Sequence, residues 1–167
     1  MPKLTNSRSA QYPLVSEFNF SFANWVIDSA DGAKKTLGAS VANSTDPSEP
    51  LLNGPVANTV VFDAFNMPLG AVLTGGEVIV ETAFVGPTAA TLSLGVVGAL
   101  TGLAATVDLK TLGSTALTAT GVAKLLANSG QNLRATIAYT VANATAGKVR
   151  VRVTYTIDGR AHEAVTN

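Results

Sequence analysis

Lys148-Val-Arg-Val-Arg-Val-Thr-Tyr-Thr-Ile157 decides the fold. Val149, Val151, Val153, Tyr155 and Ile157 alternate with Lys148, Arg150, Arg152, Thr154 and Thr156. Successive side chains of a strand point to opposite faces, so this run separates its apolar residues from its polar ones. A helix would scatter the same apolar residues around its circumference. The segment is a strand with one buried face and one wet face.

Upstream, Leu133, Ala135, Ile137, Tyr139 and Val141 alternate with Arg134, Thr136, Ala138 and Thr140. Ala142-Asn-Ala-Thr-Ala-Gly147 joins the two runs, which predicts a hairpin. Near the start, Phe18, Phe20 and Phe22 share one parity while Trp25 and Ile27 take the other. That slip predicts a bulge at Ala23 or Asn24, with the Phe stripe in the core.

The middle of the chain repeats the pattern. Thr59 to Phe65 reads as a strand and Asn66 to Gly70 as a turn. Ala71 to Thr74 and Glu77 to Phe84 flank Gly75-Gly76, a pair suited to the positive φ of a tight turn. Thr91 to Val97 and Ala104 to Leu109 are further short apolar runs, and Val122 to Asn128 predicts a single helical turn. Short strands with frequent turn signals define an all-β fold, a single-domain β-sandwich or jelly roll. Residues 1–13 read as an N-terminal arm and 14–167 as the β-sandwich domain. Within that domain, residues 29–58 read as a long irregular loop. They hold Asp31-Gly32, Asp46-Pro47, Glu49-Pro50 and Asn53-Gly54-Pro55, with a strand over Lys35 to Val41 as one reading of part of it.

Composition narrows the function. The chain has 167 residues, 47% of them hydrophobic, with zero net charge and no cysteine. It can build a core without disulfides, and it lacks thiolate metal sites and cysteine nucleophiles. No basic excess points to nucleic acid. Met1 to Ala10 lacks the apolar run of a secretory signal. Thr82 to Val107 carries no charge and is long enough to span a bilayer, but Pro87, Gly95, Gly98 and Gly102 interrupt it. We read buried strands and turns there, and no membrane partner. Charge is uneven: residues 36–108 hold Asp46, Glu49, Asp63, Glu77, Glu81 and Asp108 without a Lys or Arg, while bases dominate residues 109–167. Either the halves present different surfaces or the signs interleave in the folded sheet.

No catalytic pattern emerges. His162 stands alone, five residues from the C-terminus, and neither a Gly-x-Ser-x-Gly elbow nor a phosphate loop is present. Glu77 and Glu81 fall on one strand face about 13 Å apart. Glycosidase carboxylates sit at roughly 5–9.5 Å. The expectation is a non-enzyme without cofactor or metal. Lys148, Arg150 and Arg152, joined by Arg134 across the predicted hairpin, form either a solvated face or a docking strip. Their companions are Thr rather than aromatic residues, unlike a single-strand nucleic-acid surface.

Three stretches carry a resemblance: Leu69-Gly-Ala-Val-Leu-Thr-Gly-Gly-Glu-Val-Ile-Val-Glu-Thr-Ala-Phe-Val-Gly-Pro-Thr88, Thr115-Ala-Leu-Thr-Ala-Thr-Gly121 and Asn143-Ala-Thr-Ala-Gly-Lys-Val-Arg-Val-Arg-Val-Thr-Tyr-Thr-Ile157. With Gly159-Arg-Ala-His-Glu163 they resemble the capsid cement, or decoration, proteins of tailed bacteriophages over about Thr59 to Glu163. The bland Gly95-Val-Val-Gly-Ala-Leu-Thr-Gly102 departs from the charged segment that many relatives carry there. The resemblance implies a sandwich or jelly roll on the outer surface of the assembled head. It would be made in the host cytoplasm, bind the major capsid protein at capsomer junctions, associate with itself as a dimer or trimer, and resist internal DNA pressure. The alternative is another virion or surface-binding module, such as a head-fibre base, a tail component or a carbohydrate-binding domain. The expected contact residues are Lys3, Leu4, Arg8 and Tyr12 in the arm, with Lys148, Arg150 and Arg152 on the last strand.

Overall fold

The alternating run at the end of the chain is a strand in the computed structural model, which describes residues 12–29, 32, 34–38, 58–140 and 142–157. Val149, Val151 and Val153 are buried there, while Lys148, Arg150 and Arg152 keep contact with solvent. In chain order the elements are β1 (Leu14–Ser21), β2 (Trp25–Ile27), β3 (Lys34–Thr36), β4 (Asn58–Phe65), β5 (Ala71–Val85) and β6 (Ala90–Val96). They continue with β7 (Ala99–Asp108), β8 (Gly113–Ala116), α1 (Gly121–Asn128), β9 (Leu133–Tyr139) and β10 (Ala146–Ile157).

Two four-stranded sheets form, in the orders β1-β10-β5-β8 and β4-β9-β6-β7, with β2 and β3 as a separate ribbon. All pairings are antiparallel. The pairs β1·β10, β4·β9, β5·β8 and β6·β7 are nested one inside the next, and successive pairs alternate between the sheets. A chain doubled back on itself and rolled up in this way is a jelly roll, the more specific of the expected all-β folds. The connections at 22–24, 86–89, 109–112 and 140–145 consequently gather at one end. Those at 66–70, 97–98 and 117–132 gather at the other.

The core follows from parity. Phe18 and Phe20 on β1 stand opposite Val151 and Val149 of β10, whose other neighbours are Val78 and Val80 of β5. Phe18 stacks on Phe20, and both rings meet Phe62 of the facing sheet edge-on. Phe84 packs beside Phe20 and Tyr139. Edge-to-face pairs of this kind add about 0.5–1.5 kcal/mol beyond the area they bury. Ala123 and Ala127 bury one side of α1 against the sandwich end. Gly102 leaves room for that approach, since a Cβ there would lie 2.6 Å from the Ala123 methyl.

Four expectations need correction. The runs at 133–141 and 148–157 do not form a hairpin: β9 pairs with β4 and β6, whereas β10 pairs with β1 and β5. Their linker crosses between sheets, because alternation marks a strand and its faces but not its neighbour. Gly75-Gly76 does not reverse the chain. β5 continues through it for 15 residues, and its register with β10 slips between Thr154 and Tyr155. Gly76 takes φ 148, and a Cβ there would collide with the Arg152 carbonyl, so the pair bends the strand instead of ending it. The parity slip at Ala23 and Asn24 is an exit from the sheet, since β2 leaves to pair with β3. Finally, α1 has eight residues rather than a single turn. Of the expected Lys35 to Val41 strand, the described residues show β3 at Lys34–Thr36 followed by a turn at Leu37 and Gly38, and residues 39–41, like most of the 29–58 loop, lie outside the described residues.

Candidate functional site

The last-strand cations sit on the outer face of the first sheet, and their neighbours decide what they can do. Register places Arg152 between Glu17 of β1 and Glu77 of β5. Its Nε lies 2.7 Å from Glu17 Oε2, and its Nη1 lies 3.4 Å from Glu77 Oε1. Lys148 Nζ lies 2.7 Å from Glu81 Oε2, and Arg150 pairs with the same carboxylate. Hydrogen bonding from Lys148, reinforced by Arg150, outweighs desolvation and holds the Glu81 carboxyl below its ordinary value. The Glu17 bond raises Arg152 correspondingly.

The strip is therefore a ladder of alternating signs rather than a free basic patch, and the uneven charge of the sequence interleaves here. Arg134 takes no part. It projects from the second sheet, 2.7 Å from Asp63 Oδ1, which also removes Asp63 as a partner for Glu77 and Glu81. At one end of the ladder, Val15, Gly76, Glu77, Ser114, Ala116, Arg152 and Thr154 line a shallow, open depression of about 360 Å³. Lys3, Leu4, Arg8 and His162 lie outside the described residues. Tyr12, two residues before β1, is 86% exposed.

A second surface went unread in the sequence. The β2–β3 ribbon turns Trp25 and Ile27 outward, 56% and 52% exposed, and Lys34 Nζ sits 4.2 Å from the Trp25 ring centre. Register places Trp25 opposite Thr36, and Ile27 opposite Lys34. Such a short ribbon is unstable alone. It is fastened to the body at several points. Asp28, 1% exposed, holds Lys35 Nζ at 2.6 Å and accepts the Val61 amide at 3.4 Å. The Ser29 amide donates to the Val61 carbonyl at 2.6 Å, and the Leu37 amide donates to the Asn24 carbonyl at 2.7 Å. The Tyr139 hydroxyl donates to the Leu37 carbonyl, and the Ala144 amide donates to the Gly38 carbonyl at 2.6 Å. Burial pushes the Tyr139 phenol well above its usual pKa, so it remains a donor. Gly38 permits the close contact, since a Cβ there would lie 2.5 Å from the Phe22 carbonyl oxygen. The parity slip before Trp25 was the available signal.

The class that the strand order defines is an eight-stranded antiparallel jelly roll carrying an added hairpin at one loop end. No family model and no curated protein matches the chain. Among solved structures it is similar to the cyanophage Pam1 capsid asymmetric unit. The TM-score is 0.46 with 20% identity, covering 91% of this chain and 94% of that one.

Proposed function

We propose that this protein is a decoration, or cement, protein of a tailed-phage head. It binds the outer capsid surface at capsomer junctions and stabilises the shell against internal DNA pressure. One observation carries the reading. The three stretches that resemble the cement family are far apart in sequence, yet they fall on adjoining strands of one sheet. Leu69–Thr88 contains β5, Thr115–Gly121 begins in β8, and Asn143–Ile157 contains β10, in the spatial order β10-β5-β8. Motifs this far apart in sequence that meet on one contiguous sheet fit a shared scaffold better than scattered coincidence.

The action is mass action. A protein that binds only the assembled shell lowers its free energy by the binding free energy at every occupied site. No chemical step is needed, and we assign none. The partners are the major capsid protein and, through a dimer or trimer, further copies of this chain. The arm residues Lys3, Leu4, Arg8 and Tyr12 supply one contact.

Particles made with and without the protein should show added density on the outer surface only when it is present, and bare heads should rupture at lower temperature. Absence of the chain from finished particles would overturn the proposal. Truncation of residues 1–12 should leave a folded domain with weakened head binding, and undiminished binding would remove the arm from the contact.

A further inference from the structure

We infer that the outward face of the β2–β3 hairpin, formed by Trp25, Ile27 and Lys34, docks an apolar, carboxylate-bearing surface of a different protein; the inference rests on the head-binding reading above and names the element that makes the contact.

Three observations carry it. First, two large apolar side chains stand side by side in water, and one is Trp, the residue most concentrated at the energetic centres of interfaces. Second, the ribbon is already ordered. Asp28 and Ser29 bond Val61 of β4, the Tyr139 hydroxyl and the Ala144 amide hold the Leu37 and Gly38 carbonyls, and the Asp28–Lys35 pair ties the two arms of the ribbon together, so docking need not order a loop.

Third, charge selects the partner. Lys34 lies over the Trp25 ring and pairs with no carboxylate among the described residues. Five of the six described carboxylates pair with a cation. Asp28 holds Lys35, Asp63 holds Arg134, and Glu17, Glu77 and Glu81 hold the β10 cations. Asp108 accepts the Lys110 amide at 2.9 Å and the Thr111 hydroxyl at 2.7 Å. A second copy therefore offers Lys34 little from its described surface beyond Asp108, whereas an acidic site on another chain offers a free carboxylate. Lys34 also occupies space above the indole that a stacked sugar would need.

The test uses the full chain and purified heads that lack it. Trp25 is the single tryptophan of the protein, so its emission reports on this patch alone. Adding heads should shift the emission to the blue and protect it from acrylamide quenching. Trp25→Ala should weaken head binding at least about thirtyfold, the range of an interface hot spot. Lys34→Glu should weaken it about tenfold while Lys34→Arg retains it, with thermal unfolding unchanged in all three because the residues face solvent. Wild-type protein that binds heads with no change at Trp25, or a Trp25→Ala variant that binds equally well, overturns the patch and leaves the cement function standing. Wild-type protein that does not bind heads removes both. Self-association lost in Trp25→Ala, or a glycan that shifts the emission where heads do not, would replace the inferred partner.

Discussion

Replacing Asp28 with alanine should unfasten the β2–β3 hairpin while leaving both sheets folded. The carboxylate is 1% exposed, with Oδ2 2.6 Å from Lys35 Nζ and Oδ1 3.4 Å from the Val61 amide. Removing one member of a buried ion pair costs about 3–5 kcal/mol, because the other charge is left without its partner. Lys35 keeps 16% of its side chain exposed, so its ammonium can extend toward water and recover part of that loss. The net cost should be roughly 2–3 kcal/mol. A ribbon of two three-residue strands opens more cheaply than the sandwich unfolds, so the loss should appear locally. The reporters are the amides of Ser29 and Leu37, which bond to Val61 and Asn24. Their hydrogen exchange should accelerate roughly 30- to 150-fold, while amides in β5 and β10 exchange as before. Lys35→Met alone should be similarly damaging, since it removes the cation from a buried carboxylate. The double variant Asp28→Ala/Lys35→Met should recover much of the loss, as buried pairs replaced by apolar groups often do. Unchanged exchange in Asp28→Ala, or a double variant no better than the sum of the singles, would refute the argument.

Two further outcomes follow from the same geometry. Gly147→Ala should destabilise the fold by about 1–3 kcal/mol in urea, since the residue sits at φ 148 and a Cβ would lie 2.5 Å from the Phe84 ring. A loss below about 0.5 kcal/mol would mean that the ring moves aside freely. Glu81 contributes stability above its ordinary pKa of 4.5, because the Lys148 hydrogen bond, with help from Arg150, lowers its folded pKa. That contribution is lost as pH falls from 4.5 through the folded value, so the thermal midpoint should drop less steeply on acidification in Glu81→Gln. Identical acid limbs would show that the ladder is energetically idle.

Where side-chain parity alone determines structure, the sequence was legible. Val149 to Val153, Phe18 to Phe20 and Leu133 to Tyr139 each declare a strand and its inward face, and the structure buries those faces. Parity is silent about which strands meet. Tyr139 and Lys148 are close in the chain, yet they belong to opposite sheets, and only the nested order of all eight strands determines that. The same limit left Lys148, Arg150 and Arg152 open between a solvated face and a docking strip. Their neutralising acids, Glu17, Glu77 and Glu81, come from strands remote in sequence. Gly75-Gly76 was misread for a local reason: positive φ suits a bulge as well as a turn. Trp25 was misplaced because its parity slip was taken to lie within a sheet that the chain had already left.

The ladder and the hairpin together constrain where a partner can attach. A partner seated flat on the first sheet must strip water from six charged groups that already pair with one another, and such desolvation offsets most of what new contacts add. The hairpin imposes less of that cost. It offers two apolar side chains and one cation, and its fastenings spread through the body. Asp28 and Ser29 reach β4, Tyr139 holds it from β9, and Ala144 from the β9–β10 connection. The turn before it is tied as well, through the Phe22 amide to the carbonyl of Gly147 in β10. A pull on Trp25 is therefore shared between both sheets through hydrogen bonds, rather than carried by one loop. Attachment at that end would let the jelly roll serve as a rigid brace, with the charged face left in water.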